Sequence, residues 1–182
     1  MIPNALLGKI RRHLEAGGVI AYPTESCYGL GCIPENLRAV RFLLKLKKRR
    51  RDRGLILIAG HMRQIRRYIL NPPQREALAR FWPGPHTLLL RASRHVPKWI
   101  RGGHEKVALR ITAHRDASML CNALSTALVS TSANVTGTKP ARSFRECMAR
   151  FGKQVLVVPG RIGKRKKPST IMDFDSGKIS RA

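Results

Sequence analysis

Three stretches carry side chains that could do chemistry. In Lys45-Leu46-Lys47-Lys48-Arg49-Arg50-Arg51-Asp52-Arg53, seven of nine residues are cationic. Like charges at this density repel one another along a helix unless an anion is present. Two kinds of anion suit it: an RNA backbone, or a triphosphate that some of the cations neutralise while the rest face solvent. A solvated basic helix end is the plain structural alternative. Ser130-Thr131-Ser132-Ala133-Asn134 directly follows an apolar run. Small hydroxyl and amide groups at the carboxyl end of a strand stand where open α/β sheets bind ligands, and they can hydrogen-bond a phosphate or ribose without bulk. An ordinary polar turn with Asn134 as a cap is the alternative. Pro23-Thr24-Glu25-Ser26-Cys27-Tyr28-Gly29-Leu30-Gly31 also follows an apolar run. It reads as a loop offering hydroxyls, one carboxylate and a backbone that a ligand can approach closely.

Other chemistry is not supported. The chain has neither G-x-x-x-x-G-K-[ST] nor G-x-G-x-x-G, so no P-loop or dinucleotide fingerprint is present. His104-Glu105 has no second histidine at helical spacing, and no pair of carboxylates suggests glycosidase chemistry. Cys27, Cys32, Cys121 and Cys147 form no C-x-x-C pair. They are expected to be reduced, packed thiols, and no protein-held metal is expected. With ten acidic residues in all, a metal would arrive with a nucleotide, as Mg2+ does with ATP.

The chain has 182 residues, the size of one domain, and 43% of them are hydrophobic, enough for a core. Lys plus Arg number 36, giving a net charge of +26. No fold needs that excess, so a polyanionic partner is expected. Apolar runs such as Leu55–Ala59 are too short to cross a bilayer, and Met1-Ile2-Pro3-Asn4 opens no export signal. A cytoplasmic location is expected.

The elements that must position these stretches alternate. Leu6, Leu7, Ile10 and Leu14 mark an amphipathic helix ending at Gly17-Gly18. Val19–Tyr22, Leu55–Ala59, Thr87–Leu90, Val107–Ile111, Ala127–Ser130, Gln154–Val158 and Thr170–Met172 read as strands. Helices are expected from Pro34 into the basic cluster, over His61–Ile69, Pro73–Trp82 and Asp116–Leu124, and from Ser143 to Phe151, with Arg161–Lys167 a basic loop. This order implies an α/β fold with a mixed sheet and a single domain over residues 1–182.

In sequence order stand Val19-Ile20-Ala21-Tyr22-Pro23-Thr24-Glu25, Tyr28-Gly29-Leu30-Gly31, Lys47-x-Arg49-x-x-x-Arg53-Gly54-Leu55-Ile56-Leu57-Ile58 and Trp82-Pro83-Gly84-Pro85-x-Thr87. Val107-Ala108-Leu109-Arg110-Ile111-Thr112, Ser130-Thr131-Ser132-Ala133-Asn134-x-x-Gly137 and Pro168-Ser169-Thr170-Ile171 follow. With these motifs the chain, from about Ile10 to Arg181, resembles the threonylcarbamoyl-AMP synthases of the YrdC/TsaC type in their short, single-domain form. The resemblance implies a YrdC-like twisted mixed sheet, flanked by helices, around a concave basic groove. It also implies a reaction, in which L-threonine, bicarbonate and ATP give threonylcarbamoyl-AMP and pyrophosphate. Other proteins then transfer the threonylcarbamoyl group to tRNA to make N6-threonylcarbamoyladenosine.

The resemblance further implies roles. Lys47 and Arg49 would be catalytic. With Arg53 they would hold the triphosphate of ATP, brought in as Mg-ATP, and Ser132, Asn134 and Arg181 would also bind the nucleotide. Thr24, Tyr28, Arg110, Thr112, Ser130 and Ser169 would line the threonine end, where Arg110 suits a carboxylate. Arg53 and Gly54 replace the usual lysine and proline, Ser26 and Cys27 replace apolar or small residues, and Lys48, Arg50 and Arg51 are extra. Two other readings compete: a non-catalytic module of the same fold that binds tRNA or double-stranded RNA, and a carbamoyl-transfer relative like the YrdC-like domain of hydrogenase maturation factors.

Overall fold

The computed structural model describes residues 2–181. Helix α1 (Asn4–Glu15) buries Ile10 and Leu14. It stops before Gly17, whose φ of 83° is a left-handed conformation that glycine adopts without strain. Strand β1 (Ile20–Pro23) follows and turns back into β2 (Tyr28–Gly31). Helix α2 (Leu37–Lys47) begins at Asn36, whose side chain accepts from the Ala39 N–H at 2.9 Å. It buries Val40, Leu43 and Leu44 and ends with Lys48 in the left-handed region. The remaining elements are β3 (Ile56–Ala59), α3 (Arg75–Ala79), β4 (His86–Arg91), α4 (Lys98–Arg101), β5 (Lys106–Ile111), α5 (Arg115–Leu124), β6 (Leu128–Ser132), α6 (Phe144–Phe151), β7 (Leu156–Val157), β8 (Thr170–Asp173) and β9 (Ile179–Arg181).

Among the described residues the strands join in one nine-stranded sheet, ordered β7-β1-β2-β6-β3-β5-β4-β8-β9. Three neighbouring pairs are parallel (β1 with β7, β3 with β5, β4 with β8) and the rest antiparallel. The expected α/β class and mixed sheet are present.

Successive residues of a strand face opposite sides of the sheet. Ala21, Leu57, Ala59 and Val129 belong to the larger core, with Val40 and Leu43 of α2 and Cys147 and Phe151 of α6. Ile20, Tyr22, Ile58 and Leu128 face the other way and pack with Ile10 and Leu14 of α1 and Ala117, Leu120 and Cys121 of α5. These two helices cover only part of their face. Farther along the same alternation, Gly29, Ser130, Ser132, Ile56, Ala108, Arg110 and Leu89 are cross-strand neighbours and floor an open cavity.

Several element expectations need correction. Pro23–Gly31 is a hairpin, not a loop: Tyr28–Gly31 pairs with β1 in the register Pro23↔Tyr28 to Ile20↔Gly31. The two glycines obscured a period-two pattern in which Tyr28 and Leu30 are fully buried. His61–Ile69 forms two 3-10 turns, Met62–Gln64 and Arg66–Tyr68, rather than one helix. There the Gln64 side chain accepts from the Gly60 N–H at 2.8 Å and ties down the first turn. Pro73–Trp82 contributes only the five residues of α3, and strand Gln154–Val158 only the two of β7. Helix α4 and strand β9 were not anticipated; the three residues of β9 are all on the exposed side and show no apolar pattern to reveal it.

Candidate functional site

The cavity measures about 1040 Å³ and opens over the uncovered half of the sheet. That is at the top of the range for ligand sites and leaves room for more than one small substrate. Nine of the twelve residues singled out in the sequence line it: Lys47, Arg49, Arg53, Arg110, Ser130, Ser132, Asn134, Ser169 and Arg181. They come from the end of α2, the segment after it, β5, β6 and its following turn, and both ends of the β8–β9 region. The basic stretch and the Ser/Asn turn, 77 residues or more apart in sequence, therefore share one hollow.

Lys47 joins them. It is 3% exposed, and its ammonium donates to Ser132 O at 2.5 Å, Asn134 O at 2.9 Å and Asn134 Oδ1 at 3.1 Å. The helix end is tied back in return, because Thr136 donates to Lys47 O through both its N–H (2.9 Å) and its hydroxyl (2.8 Å). Ser132 Oγ donates to Asn134 Oδ1 at 2.6 Å, and Asn134 Nδ2 donates to Val135 O and Thr138 O. The turn is thus a closed network held in shape by one buried cation. Burial, and then the charge of Arg49, push the Lys47 ammonium pKa down to about 8.

Arg49 donates from Nη2 to Gly54 O at 2.9 Å, while its Nε is buried without a partner. Burial, and then Arg53 beside it, hold its pKa below the usual arginine value. Arg181 donates from Nε and Nη2 to Ser169 O (3.0 and 2.8 Å) and from Nη2 to Ser169 Oγ (2.9 Å). Burial, then Arg110 and Arg49, lower its pKa too. Cations that mutually disfavour their charged forms around one cavity form an arrangement suited to a multiply charged anion.

Arg110 is different. It is 8% exposed, donates from Nε to Gly84 O at 3.0 Å and pairs with the Glu25 carboxylate. Glu25 Oε1 also accepts from the Thr112 hydroxyl at 2.7 Å and the Ala113 N–H at 3.2 Å. Burial disfavours its charge, but Arg110 and Thr112 outweigh burial and hold the carboxyl below its ordinary value.

Three residues named from the sequence do not line the cavity. The Thr24 hydroxyl donates to Cys27 O at 2.8 Å within the β1–β2 turn, and Tyr28 Oη donates to Gly160 O at 2.7 Å. Thr112 serves Glu25 and accepts from the His114 N–H at 3.0 Å. Conversely, Glu25, Thr136, Arg142 and Lys166 were not singled out, although all but Glu25 line the cavity. Glu25 had one signal, as the sole carboxylate of the stretch after β1.

The cysteines are free, and Cys32, Cys121 and Cys147 are buried. Cys27 touches the cavity, and burial raises its thiol pKa, which disfavours the nucleophilic thiolate. Among the described residues no group of three His, Cys, Asp or Glu side chains could hold a metal ion, and no helix is long and apolar enough to cross a membrane.

A family model described as telomere recombination (Sua5_yciO_yrdC) matches residues 12–182. The protein named threonylcarbamoyl-AMP synthase from Chromobacterium violaceum is 54% identical over 98% of this chain and 93% of its own length. The one from Thiobacillus denitrificans is 50% identical over 95% and 93%. Among solved structures, P. abyssi Sua5 complexed with L-threonine superposes with a TM-score of 0.90 at 28% identity, over 98% of this chain and 54% of that one. This chain therefore spans about half the length of the Sua5 chain. E. coli YciO shares the fold, with a TM-score of 0.86 over 98% of this chain and 89% of its own, at 24% identity.

Proposed function

Since the chain belongs to the Sua5/YciO/YrdC family, we propose that it forms threonylcarbamoyl-AMP and pyrophosphate from L-threonine, bicarbonate and ATP, as a nucleotidyltransferase acting in tRNA modification. One observation carries this reading at the level of residues: unpaired cations and a rigid hydroxyl–amide turn border the same cavity.

Two bonds must form. The threonine amine attacks the carbon of bicarbonate or of the CO2 derived from it, giving a carbamate, while the proton lost by the amine and the hydroxide lost by bicarbonate leave as water. A carbamate oxygen then attacks the α-phosphorus of ATP, and pyrophosphate leaves with the electron pair of the broken P–O bond. In the second step both partners, carbamate and ATP, are anionic, so the protein must chiefly neutralise and align, and no strong side-chain nucleophile is required. Arg49 and Arg53 suit the β- and γ-phosphates and the charge that builds on departing pyrophosphate. Lys47 shapes the Ser132–Asn134 turn and adds its field to the clamp. The turn and Arg181 suit the nucleoside and α-phosphate. Arg110, with Ser130 and Ser169 nearby, suits the threonine carboxylate at the other end. Mg2+ accompanies ATP as part of the substrate.

Partners beyond the substrates follow from charge. Arg50, Arg67, Lys106, Arg110 and Arg150 are the cations in ion pairs among the described residues, so most of the 36 have no carboxylate of their own. The basic loop Arg161–Lys167, whose Lys166 lines the cavity, suits contact with tRNA, and a transferase would take the adenylate onward. The deciding experiment is mass spectrometry of the products after incubation with ATP, threonine and bicarbonate. Threonylcarbamoyl-AMP that depends on all three is expected. RNA binding with no such product would favour the non-catalytic module, and product from carbamoyl phosphate would favour the carbamoyl-transfer relative.

A further inference from the structure

We propose that Glu25 is the positioning residue of the amino-acid end of the site, fixing the Arg110 guanidinium for a substrate carboxylate and keeping it out of the polyphosphate clamp. This rests on the assignment of Arg110 to the threonine carboxylate. Arg110 and Glu25 form the most enclosed of the six ion pairs found among the described residues, their side chains 10% and 14% exposed. Every partner in the other five keeps at least 20% of its side chain in water. Exposed pairs contribute little, but removing one member of an enclosed pair leaves a buried charge uncompensated.

Glu25 is itself held by several contacts. Oε1 holds the Thr112 hydroxyl and the Ala113 N–H as well as Arg110. Its backbone is pinned by the basic loop: the Gly163 N–H donates to Thr24 O at 2.9 Å and the Arg165 N–H to Glu25 O at 3.1 Å. Gly163 is needed for that approach, since a Cβ there would stand 2.7 Å from Glu25 O. Arg110 is thus held from two sides, by Gly84 O at Nε and by Glu25 at Nη2, while the side chain still reaches the cavity.

Charge gives the arrangement a purpose. Lys47, Arg49, Arg53 and Arg181 line the same hollow without a carboxylate partner among the described residues. One more free cation at this end would be drawn to the triphosphate. Glu25 cancels the net charge of Arg110, and with Nε on Gly84 O and Nη2 on Glu25 the remaining donor is Nη1, which has no partner among the described residues and suits a singly charged carboxylate rather than a polyphosphate. The floor is thereby divided into a neutralised arginine for the amino acid and unneutralised cations for ATP.

The test compares Glu25→Gln, Glu25→Ala, Arg110→Gln and the double variant Glu25→Gln/Arg110→Gln by pyrophosphate release, titrating threonine and ATP separately. Glutamine keeps the shape and an acceptor for Thr112 and Ala113, so Glu25→Gln isolates the charge. The threonine KM should rise about ten- to a hundredfold, the ATP KM should stay within about twofold, and the double variant should be no worse than Arg110→Gln. A threonine KM unchanged in both Glu25 variants while Arg110→Gln is impaired overturns the role of Glu25 alone. So do costs that add in the double variant, or equal rises in both KM values. An unimpaired Arg110→Gln removes the carboxylate assignment and, with it, the inference built on it.

Discussion

Lys47, the last residue of α2, holds Asn134 by two of its atoms, donating to the carbonyl at 2.9 Å and to Oδ1 at 3.1 Å. With Ser132 O as third acceptor, all three ammonium hydrogens are used inside the protein. Lys47 therefore acts on a bound phosphate through its field and through the turn it shapes, while Arg49 and Arg53 remain for direct contact. The Lys-x-Arg and Ser-x-Asn motifs work as one unit, with the lysine as its internal brace.

This brace makes ATP binding sensitive to pH. In the free protein the Lys47 ammonium is pushed down to about 8. A triphosphate in the cavity offsets the repulsion from Arg49 and raises that pKa. Binding must then take up a proton near and above pH 8, so affinity is flat below pH 8 and falls as pH rises beyond it, by at most about tenfold per pH unit. Calorimetry of ATP binding in buffers of different ionisation enthalpy checks this. Lys47→Met should bind more weakly and lose the proton uptake; a wild-type affinity level from pH 7 to 9 would refute the linkage.

Arg49→Ala removes the donor placed for direct phosphate contact and leaves Gly54 O without its partner. A charge-assisted contact of this kind is worth about 1.5–3 kcal/mol. The loss should appear as a ten- to hundredfold drop in kcat/KM for ATP, on the order that energy implies, with the threonine KM unchanged. Pyrophosphate release under varied ATP measures it, and full activity in the variant would take Arg49 out of the clamp.

Sequence periodicity made the larger elements legible because their burial is regular. Val40, Leu43 and Leu44 of α2, and Ile10 and Leu14 of α1, follow helical spacing, and Leu55–Ala59 is apolar throughout because Leu57 and Ala59 face one core, Ile58 the other, and Ile56 the cavity floor. Tyr28–Gly31 was obscure because glycine fills the positions where a strand usually shows side chains. The cavity residues were visible as motifs, since their chemistry is local to each segment. What pairs with what was not: Lys47 with Asn134, 87 positions on, and Glu25 with Arg110 are joined only by the strand order. Thr24, Tyr28 and Thr112 have the right groups for a binding site, yet their hydroxyls are taken by Cys27 O, Gly160 O and Glu25.

The two β2 glycines should respond in opposite ways. A Cβ at Gly31 would stand 2.5 Å from Val129 O and 2.8 Å from Tyr22 Cε1, with a fully buried tyrosine unable to move aside. Gly31→Ala should destabilise the fold by about 1–3 kcal/mol. At Gly29 the nearest atoms lie at 3.4–3.5 Å, so Gly29→Ala should fold within about 0.5 kcal/mol of the parent. Its methyl group would nevertheless project into the cavity floor and lower activity. Urea unfolding beside the product assay separates the two; a stable Gly31→Ala would contradict the packing seen around Tyr22.

If the basic loop meets tRNA, the contact is electrostatic. Affinity in a filter-binding titration should fall with salt, with a log–log slope of about −0.7 to −0.9 per phosphate neutralised. Replacing Lys164, Lys166 and Lys167 together by glutamine should shallow that slope by about two to three. Salt-independent binding would reject the electrostatic contact, and an unchanged slope would move it off this loop.

Ser169 ties stability and site together. Its hydroxyl meets Thr87 Oγ1 at 2.9 Å, where Thr87 is fully buried, and accepts from Arg181 Nη2 at 2.9 Å. Ser169→Ala strands the Thr87 hydroxyl, and an unsatisfied buried group costs about 1–3 kcal/mol. Replacing both partners with apolar groups of similar shape removes that penalty, so Ser169→Ala/Thr87→Val should regain most of the stability lost in the single variant. Arg181 keeps the Ser169 carbonyl but loses the hydroxyl in both variants. The ATP KM should therefore be raised to the same extent in each. Thermal unfolding gives the first comparison and steady-state kinetics the second. A double variant as unstable as Ser169→Ala would show that the Thr87 hydroxyl is not the group left stranded, and an ATP KM restored along with stability would place Arg181 outside the nucleotide site.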